Sequence, residues 1–233
     1  MKVTGSRIAR FIIGAAVAVS AAVAFASGGG VGVTADEALQ RLMEGNKHFV
    51  AGQLGACGES TAAKRASLAN GQKPYAIILS CSDSRVPPEL IFDKSMGEIF
   101  VICVAGNIPD PIVLGSIEYA AEHIGSPLIM VLGHERCGAV TAAVDAKGKP
   151  EGNLGAIVRT ITPAVRKAKM AAKGKSHDEL VETAVEINAK LVAANLTKKS
   201  PVIAKLAKEG KVKIVTAKYD LDDGTVSLLG EQK

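Results

Sequence analysis

Two short segments of the chain carry side chains that commonly bind metal ions. In the first, Cys81 is followed by Asp83 and Arg85. In the second, His134 is followed three residues later by Cys137. Two thiolates and one imidazole suit Zn²⁺, and three protein ligands leave the fourth tetrahedral position open. A single cysteine is more often a small buried apolar residue, but here three suitable ligands occur together. We therefore predict one zinc ion per chain, bound by Cys81, His134 and Cys137.

The residues around these ligands indicate a catalytic site. In an extended segment, side chains two apart point the same way, so Asp83 and Arg85 would share a face with Cys81. Asp83 would accept a hydrogen bond from water at the metal, and Arg85 would hold Asp83 in place and keep it ionised. The alternative is an ordinary surface salt bridge, which would contribute under about 1 kcal/mol. His134 and Cys137, three residues apart, are expected on one face of a helical turn.

Alternating strands and helices must position these segments. Apolar, β-branched runs predict strands at 75–79, 99–104, 128–132 and 212–216, the first three buried on both faces, with an antiparallel edge strand at 225–229. Helices are predicted at 112–123, 137–145, 154–172 and 177–197, with an N-terminal helical arm that begins at a capping box, Thr34 to Glu37. This order predicts an α/β fold with a mainly parallel central sheet flanked by helices. Ligands of such sheets bind outside the carboxyl ends of the strands, where both segments would meet.

The N-terminus has the pattern of a secretory signal peptide. Lys2, Arg7 and Arg10 precede an apolar run over 11–25, and Ala24 to Ala26 fits the small-x-small cleavage pattern. The run is shorter than the roughly 20 residues that span a bilayer, which argues against a stable membrane anchor. We predict a signal peptide at 1–26, a flexible mature start at 27–33 and a single domain at 34–233. Export follows, with a bacterial periplasm as the simplest destination.

The composition gives no reason to expect a nucleic-acid partner. The 233 residues, 48% of them hydrophobic, are enough for one substantial core. The formal charge of +5 includes three cations in the predicted signal peptide, so the mature protein is nearly balanced. It has no Trp and few other aromatic residues. Neither charge nor aromatic content favours a nucleic-acid partner.

Longer motifs around the ligands are similar to those of a known family. They are Cys81-Ser-Asp-Ser-Arg-Val-Pro-Pro-Glu-Leu-Ile-Phe-Asp93, Ala105-Gly-Asn107, Gly115-Ser-Ile-Glu-Tyr119 and Gly133-His-Glu-Arg-Cys-Gly-Ala-Val140. Together, in this order, they resemble the β-class carbonic anhydrases from about residue 38 to residue 229. The resemblance implies zinc-dependent, reversible hydration of carbon dioxide to bicarbonate and a proton, with Asp83 and Arg85 as the catalytic dyad.

The resemblance also implies a substrate pocket. Gln72 lies where the family has a glutamine that hydrogen-bonds substrate or bicarbonate. Phe100, Ala105 and Tyr119 lie at positions that line the small apolar pocket, although Phe100 and Tyr119 taken alone would be read as core residues. In the family this pocket is completed across a dimer interface, so a homodimer or tetramer is implied. The absence of Trp favours the constitutively open subtype.

Two alternatives to this function stay open from the sequence. Some enzymes that resemble the family hydrolyse carbonyl sulfide or carbon disulfide with the same metal ligands. A non-catalytic zinc protein is the second alternative, which the Asp83–Arg85 pair disfavours. His48, His123 and His177 are all possible proton carriers, and the sequence does not select one.

The two remaining cysteines are Cys57 and Cys103. Cys103 occupies a position where family members usually carry Arg. In an exported protein these two thiols are the pair left free to form a disulfide. The simpler interpretation is that Cys103 is a buried apolar residue and Cys57 an unpaired loop thiol.

Overall fold

The protein is described by a computed structural model over residues 31–230, except Lys149 and Glu151. The predicted signal peptide at 1–26 lies outside the described residues and stays a prediction, as does export. Of the predicted flexible start, residues 31–33 are described, and Val31 and Val33 pack against the core. Within the described residues, no helix combines the length and apolar character needed to cross a membrane.

A mainly parallel sheet forms the centre of the structure. Its strands are β1 (Ala76–Ser80), β2 (Ile99–Cys103), β3 (Leu128–His134), β4 (Lys213–Tyr219) and β5 (Val226–Leu228). They lie in the order β2-β1-β3-β4-β5, and only β5 is antiparallel to its neighbour. The predicted fold class is therefore confirmed, including the antiparallel edge strand at the end of the chain.

One prediction about the strands is wrong. Every residue of β1 and β3 is buried, as expected, but β2 is half-buried and ends in the exposed Cys103. The reason is the position of β2 at the edge of the sheet, where it has a single neighbouring strand among the described residues. A short apolar run has the same sequence pattern in a central strand and in an edge strand.

Helices cover both faces of the sheet. They are α1 (Ala35–Val50), α2 (Ala62–Leu68), α3 (Pro88–Ile91), α4 (Pro111–Glu118), α5 (Gly138–Asp145), α6 (Leu154–Ala171), α7 (His177–Lys199) and α8 (Pro201–Lys208). The capping box predicted at Thr34 is present at the start of α1. The helix predicted at 112–123 is α4 followed by a π-helical turn, Tyr119–Ile124, which ends at the left-handed Gly125.

The core divides along the two faces of the sheet. Alternate strand residues such as Ile78 and Met130 pack with α1 on one face, whereas Ile77 and Ile129 pack with α4, α7 and α8 on the other. This alternation follows from the two-residue period of a strand. A third cluster joins Cys81 and Cys137 to buried residues of α5, α6 and α7.

Asn46 ties α1 to two other parts of the fold. It is 4% exposed. Its side-chain amide donates to the carbonyl oxygens of Ile91 at 3.2 Å and Gly224 at 2.9 Å, and its Oδ1 accepts the Val226 N–H at 2.8 Å. One side chain thus satisfies three backbone groups from α3 and the β4–β5 hairpin.

We expect Asn46→Ala to lower the free energy of unfolding by about 2 to 4 kcal/mol, because these buried backbone groups lose their partner. Urea denaturation measures the change. Gln40→Ala on the same helix, at an exposed position, is the control and should change stability little. Equal stability of the two variants would contradict the role given to Asn46.

Candidate metal centre

The three predicted zinc ligands meet at the carboxyl edge of the sheet. Cys81 follows β1 directly, His134 is the last residue of β3, and Cys137 is the N-cap of α5. Because β1 and β3 are parallel neighbours, their ends lie side by side. The potential ligand atoms of the three residues all lie within 4.8 Å of one another, and all three residues are buried.

The local route from His134 to Cys137 differs from the prediction. The β3–β4 ladder continues one residue beyond His134, since the Glu135 N–H donates to the Tyr219 carbonyl at 3.1 Å. Arg136 then adopts a left-handed conformation, with φ of 47°. Cys137 is extended rather than helical. A bend at Arg136, and not a helical turn, brings the two ligands together.

The orientation of His134 fits a metal ion. Its Nδ1 lies 2.8 Å from the carbonyl oxygen of Glu135, so Nδ1 carries the proton and donates it. Its Nε2 is buried and has no hydrogen-bond partner among the described residues. Buried polar atoms without a partner are rare. A cation at this nitrogen would provide the missing interaction, and the two thiol groups beside it suit zinc.

The surroundings of the two thiols shift their pKa values in opposite directions. A hydrogen bond from Cys137 lowers the pKa of Cys81, and the Gly106 N–H also donates to its Sγ, at 3.3 Å. The same bond, together with burial, raises the pKa of Cys137. A bound cation would favour the thiolate form of both, because metal binding releases protons from cysteine ligands.

Asp83 and Arg85 form a two-point ion pair beside this cluster. Arg85 Nε and Nη2 donate to the two carboxylate oxygens of Asp83 at 2.9 and 2.8 Å. These bonds hold the pKa of Asp83 well below its usual range. Asp83 Oδ2 lies 3.9 Å from His134 Nε2. The carboxylate is thus ionised and next to the unpartnered nitrogen.

The Asp83–Arg85 pair does not arise from an extended segment as predicted. The Arg85 N–H donates to Asp83 Oδ1 at 3.0 Å, and the Val86 N–H donates to the Asp83 carbonyl at 3.0 Å. These two bonds define a tight turn in which the aspartate side chain caps the backbone. The turn, rather than the alternation of a strand, places the guanidinium on the carboxylate.

A network that the sequence did not indicate supports the loop between the second and third ligands. The Arg136 N–H donates to Glu182 of α7 at 2.8 Å, and its guanidinium pairs with Asp222 in the β4–β5 hairpin. The Arg136 carbonyl accepts a long bond, 3.4 Å, from Arg85 Nη2. The left-handed Arg136 is therefore held through its N–H, its guanidinium and its carbonyl oxygen.

A second support acts on Cys81 through Gly106. Gly106 has φ of 72°, and a Cβ there would lie 2.7 Å from Ile161 Cδ1, so a larger residue would be strained and would displace the Ile161 side chain. The buried Asn188 of α7 donates to the Gly106 carbonyl at 3.0 Å. The one signal in the sequence for this contact was the presence of an asparagine, Asn188, on the buried face of a long helix.

The predicted pocket residues are only partly brought together within one chain. Ala105 directly precedes Gly106 and so lies at the cluster. Phe100 lies on the edge strand β2, where it pairs with Ile77, and its ring is 6.3 Å from that of Tyr119. Gln72 is exposed and precedes β1, at the opposite edge of the sheet from the ligands. One protomer therefore groups Ala105, but not Gln72, Phe100 or Tyr119, with the ligands.

Both remaining cysteines are free thiols in the structure. Cys57 Sγ lies 3.8 Å from the Glu89 carbonyl oxygen. Cys103 is exposed because it ends an edge strand, so the interpretation of Cys103 as a buried residue is wrong. The structure does not contain the alternative disulfide.

Comparison with known proteins identifies the family. The carbonic anhydrase family profile matches residues 76–226. Carbonic anhydrase 2 of Mycobacterium tuberculosis is 40% identical over 194 residues, 82% of this chain and 91% of the relative. The carbonic anhydrase of Pseudomonas aeruginosa is 34% identical over 171 residues, 70% of this chain and 76% of the relative. A Coccomyxa β-carbonic anhydrase structure aligns with a TM-score of 0.69 at 26% identity, covering 82% of this chain and 86% of that one. The chain belongs to the β-carbonic anhydrase family.

Proposed function

We propose that this enzyme hydrates carbon dioxide reversibly to bicarbonate and a proton at a zinc ion held by Cys81, His134 and Cys137. Membership of the carbonic anhydrase family gives the reaction and the enzyme class, carbonate dehydratase. The observation that carries the ligand assignment is the buried, unpartnered Nε2 of His134 between two cysteine thiols and an ionised aspartate.

Zinc bound at this site would supply the Lewis acidity that lowers the pKa of water and so provides a nucleophile near neutral pH. The donor set contains three protein ligands, and no fourth ligand joins the cluster within the described residues. Catalytic zinc sites keep an open position, whereas structural sites close it with protein ligands. This supports catalysis over a purely structural role.

Asp83 has the properties of a hydrogen-bond acceptor for the attacking water. Its depressed pKa keeps it ionised at neutral pH. Its carboxylate oxygens can therefore accept a hydrogen bond from the water, but they cannot donate one. Arg85 occupies both carboxylate oxygens and fixes their direction. An acceptor fixed in this way would orient a lone pair of the water toward the substrate carbon.

We further propose that a second copy completes the substrate pocket formed by Gln72, Phe100, Ala105 and Tyr119. Edge strand β2 and the adjoining α4 carry apolar surface, with Ile112 81% exposed and Tyr119 41% exposed. Two copies that meet at this edge would bury that surface and could carry Gln72 of one chain toward the metal ligands of the other. Solved relatives from Sordaria macrospora, aligned at a TM-score of 0.66 and 25% identity over 71% of this chain and 85% of that one, are tetrameric. We propose a homodimer or tetramer here.

We expect the zinc-loaded protein to contain one zinc per chain and Cys81→Ser to lose most of it, because a hydroxyl is a much weaker zinc ligand than a thiolate. Elemental analysis of purified protein measures both. Cys57→Ser, which removes a thiol outside the cluster, is the control and should retain zinc. Full zinc content in Cys81→Ser would overturn the ligand assignment.

We expect Asp83→Asn and Arg85→Ala to keep zinc but to lose roughly 10- to 100-fold of hydration activity, as is typical for residues that orient a metal site. Stopped-flow hydration assays on zinc-loaded variants test this. Arg166→Ala, at an exposed position of α6, should leave the rate unchanged. Normal rates in both test variants would reduce the pair to a surface salt bridge.

We expect Ile112→Glu to dissociate the assembly and to lower activity while each chain keeps its zinc, since a charge at this edge would oppose its burial. Analytical ultracentrifugation measures the assembly. Met170→Glu, at a 74% exposed position on α6, is the matched control. An unchanged assembly in Ile112→Glu would place the contact elsewhere.

A further inference from the structure

Helix α6 and the residues on either side of it carry positive charges only. Residues 152–177 contain six lysines and arginines and no carboxylate. Without the three cations at the N-terminus, the formal charge of +5 falls to +2 for residues 27–233. Residues 27–233 outside this segment therefore carry a formal charge of −4 together. The charge of the protein is thus strongly uneven, although its total is nearly balanced.

The structure places these cations on the exposed side of α6. The other side of the helix is buried in the third core cluster, through residues such as Val158 and Val165. Arg159 and Arg166 are seven residues apart, so they lie on one face of the helix. Further exposed lysines flank this face and follow the helix in its C-terminal turn. We call the exposed cations of this region the basic face: Arg159, Arg166, Lys167, Lys169 and Lys173.

No carboxylate neutralises the basic face. Its cations form no ion pair with another described residue. Two carboxylates of the adjoining helices have other partners. Asp145, at the end of α5, lies 2.8 Å from His177 Nε2, and Glu179, near the start of α7, accepts hydrogen bonds from Ser176. The positive charge of the basic face is therefore available to solvent or to an anionic partner.

A groove of about 790 Å³ runs beside the basic face, between α6 and the end of α5. Arg159, Arg166 and Lys169 line it, and no carboxylate is among its described lining residues. The buried Val158 and Val165 contribute an apolar floor. The groove thus presents three positive charges above apolar side chains, which suits a phosphate headgroup and the glycerol that carries it.

An apolar side chain projects from the same side of the helix. Met170 is 74% exposed and follows Arg166 by four residues, about one helical turn. An apolar side chain among cations can enter the boundary between lipid headgroups and acyl chains. Protein interfaces usually have a larger apolar centre that includes aromatic residues, and single-stranded nucleic acids are bound by aromatic stacking. Residues 152–177 contain no aromatic Phe, Tyr or Trp, so these features favour a lipid surface.

We propose that the basic face docks the protein reversibly on an anionic phospholipid bilayer. The negative potential of such a surface attracts lysine and arginine, and this attraction falls off within a Debye length, about 8 Å at physiological ionic strength. From Arg159 to Lys169 the helix is about 15 Å long at roughly 1.5 Å per residue. Cations on one exposed face of a helix can all approach a flat surface together. The negative charge of the rest of the chain favours this orientation over others.

Cosedimentation with sucrose-loaded vesicles tests the proposal. The protein from residue 27 onward retains every described helix and strand and lacks the apolar run at 11–25, which would bind lipid by itself. We expect it to bind vesicles of phosphatidylglycerol and phosphatidylcholine in equal parts but not vesicles of phosphatidylcholine alone. Added salt should release it, because salt screens the attraction.

A matched pair of variants locates the contact. Lys167→Gln/Lys169→Gln/Lys173→Gln should bind the anionic vesicles at least about tenfold more weakly than the unmodified protein, because each lysine near the surface contributes to the attraction. The control, with the same loss of charge at exposed positions of α7 and α8, is Lys198→Gln/Lys205→Gln/Lys208→Gln. Arg166→Gln, a single change on the basic face, should also weaken binding and does not depend on the triple variant folding.

The outcomes separate the basic face from net charge. Weaker binding in the α6 variants than in the control, with carbon dioxide hydration retained, supports the proposal. An equal loss in the control would assign the effect to net charge and overturn the role of α6. No binding to anionic vesicles, or equal binding to both kinds of vesicle, would overturn the proposal. Binding of duplex DNA without binding of anionic vesicles would assign a nucleic acid instead, and would overturn it as well.

Discussion

The register between β1 and β3 is the constraint on which the metal centre depends. Ser80 lies opposite Leu132. Cys81 is therefore level with Gly133, one residue short of His134 at the end of β3. A slip of one residue in a strand would turn each side chain to the other face of the sheet. Helix α7 supports this part of β3 at Gly133, where a Cβ would lie 3.3 Å from Val185 Cγ1. Close packing of a helix against a strand without a side chain therefore sets the positions of two ligands.

The same helix links the separate supports of the site. Glu182 and Asn188, less than two turns apart on α7, hold the Arg136 N–H and the Gly106 carbonyl, respectively. Arg136 lies between two ligands, and Gly106 donates to the sulfur of the third. The ligands are thus held in place by backbone groups whose partners come from one rigid element. Such preorganisation reduces the conformational entropy that a site would otherwise lose on binding its ion.

The sequence was sufficient to predict the parallel sheet and the cluster that Cys81, His134 and Cys137 form. Cys81, His134 and Cys137 follow or end apolar runs, and the rule that strand ends converge does not need atomic detail. The local geometry was less predictable, because the left-handed Arg136 and the turn at Asp83 depend on tertiary hydrogen bonds. The edge position of β2 was also hidden, since Phe100 and its neighbours have the composition of a central strand. Glu182 and Asn188 contact groups 46 and 82 residues away in sequence, and no local pattern encodes such pairs.

The unpaired edge of strand β2 also affects how each newly made chain folds and assembles. On its outer side, no strand pairs with it within the described residues, and an unpaired strand edge is a template for intermolecular pairing and aggregation. In the proposed assembly a second copy covers this edge, so a folded subunit would be most vulnerable before that contact forms. Subunit concentration and the rate of assembly would then govern the yield of active protein as much as the stability of the fold does.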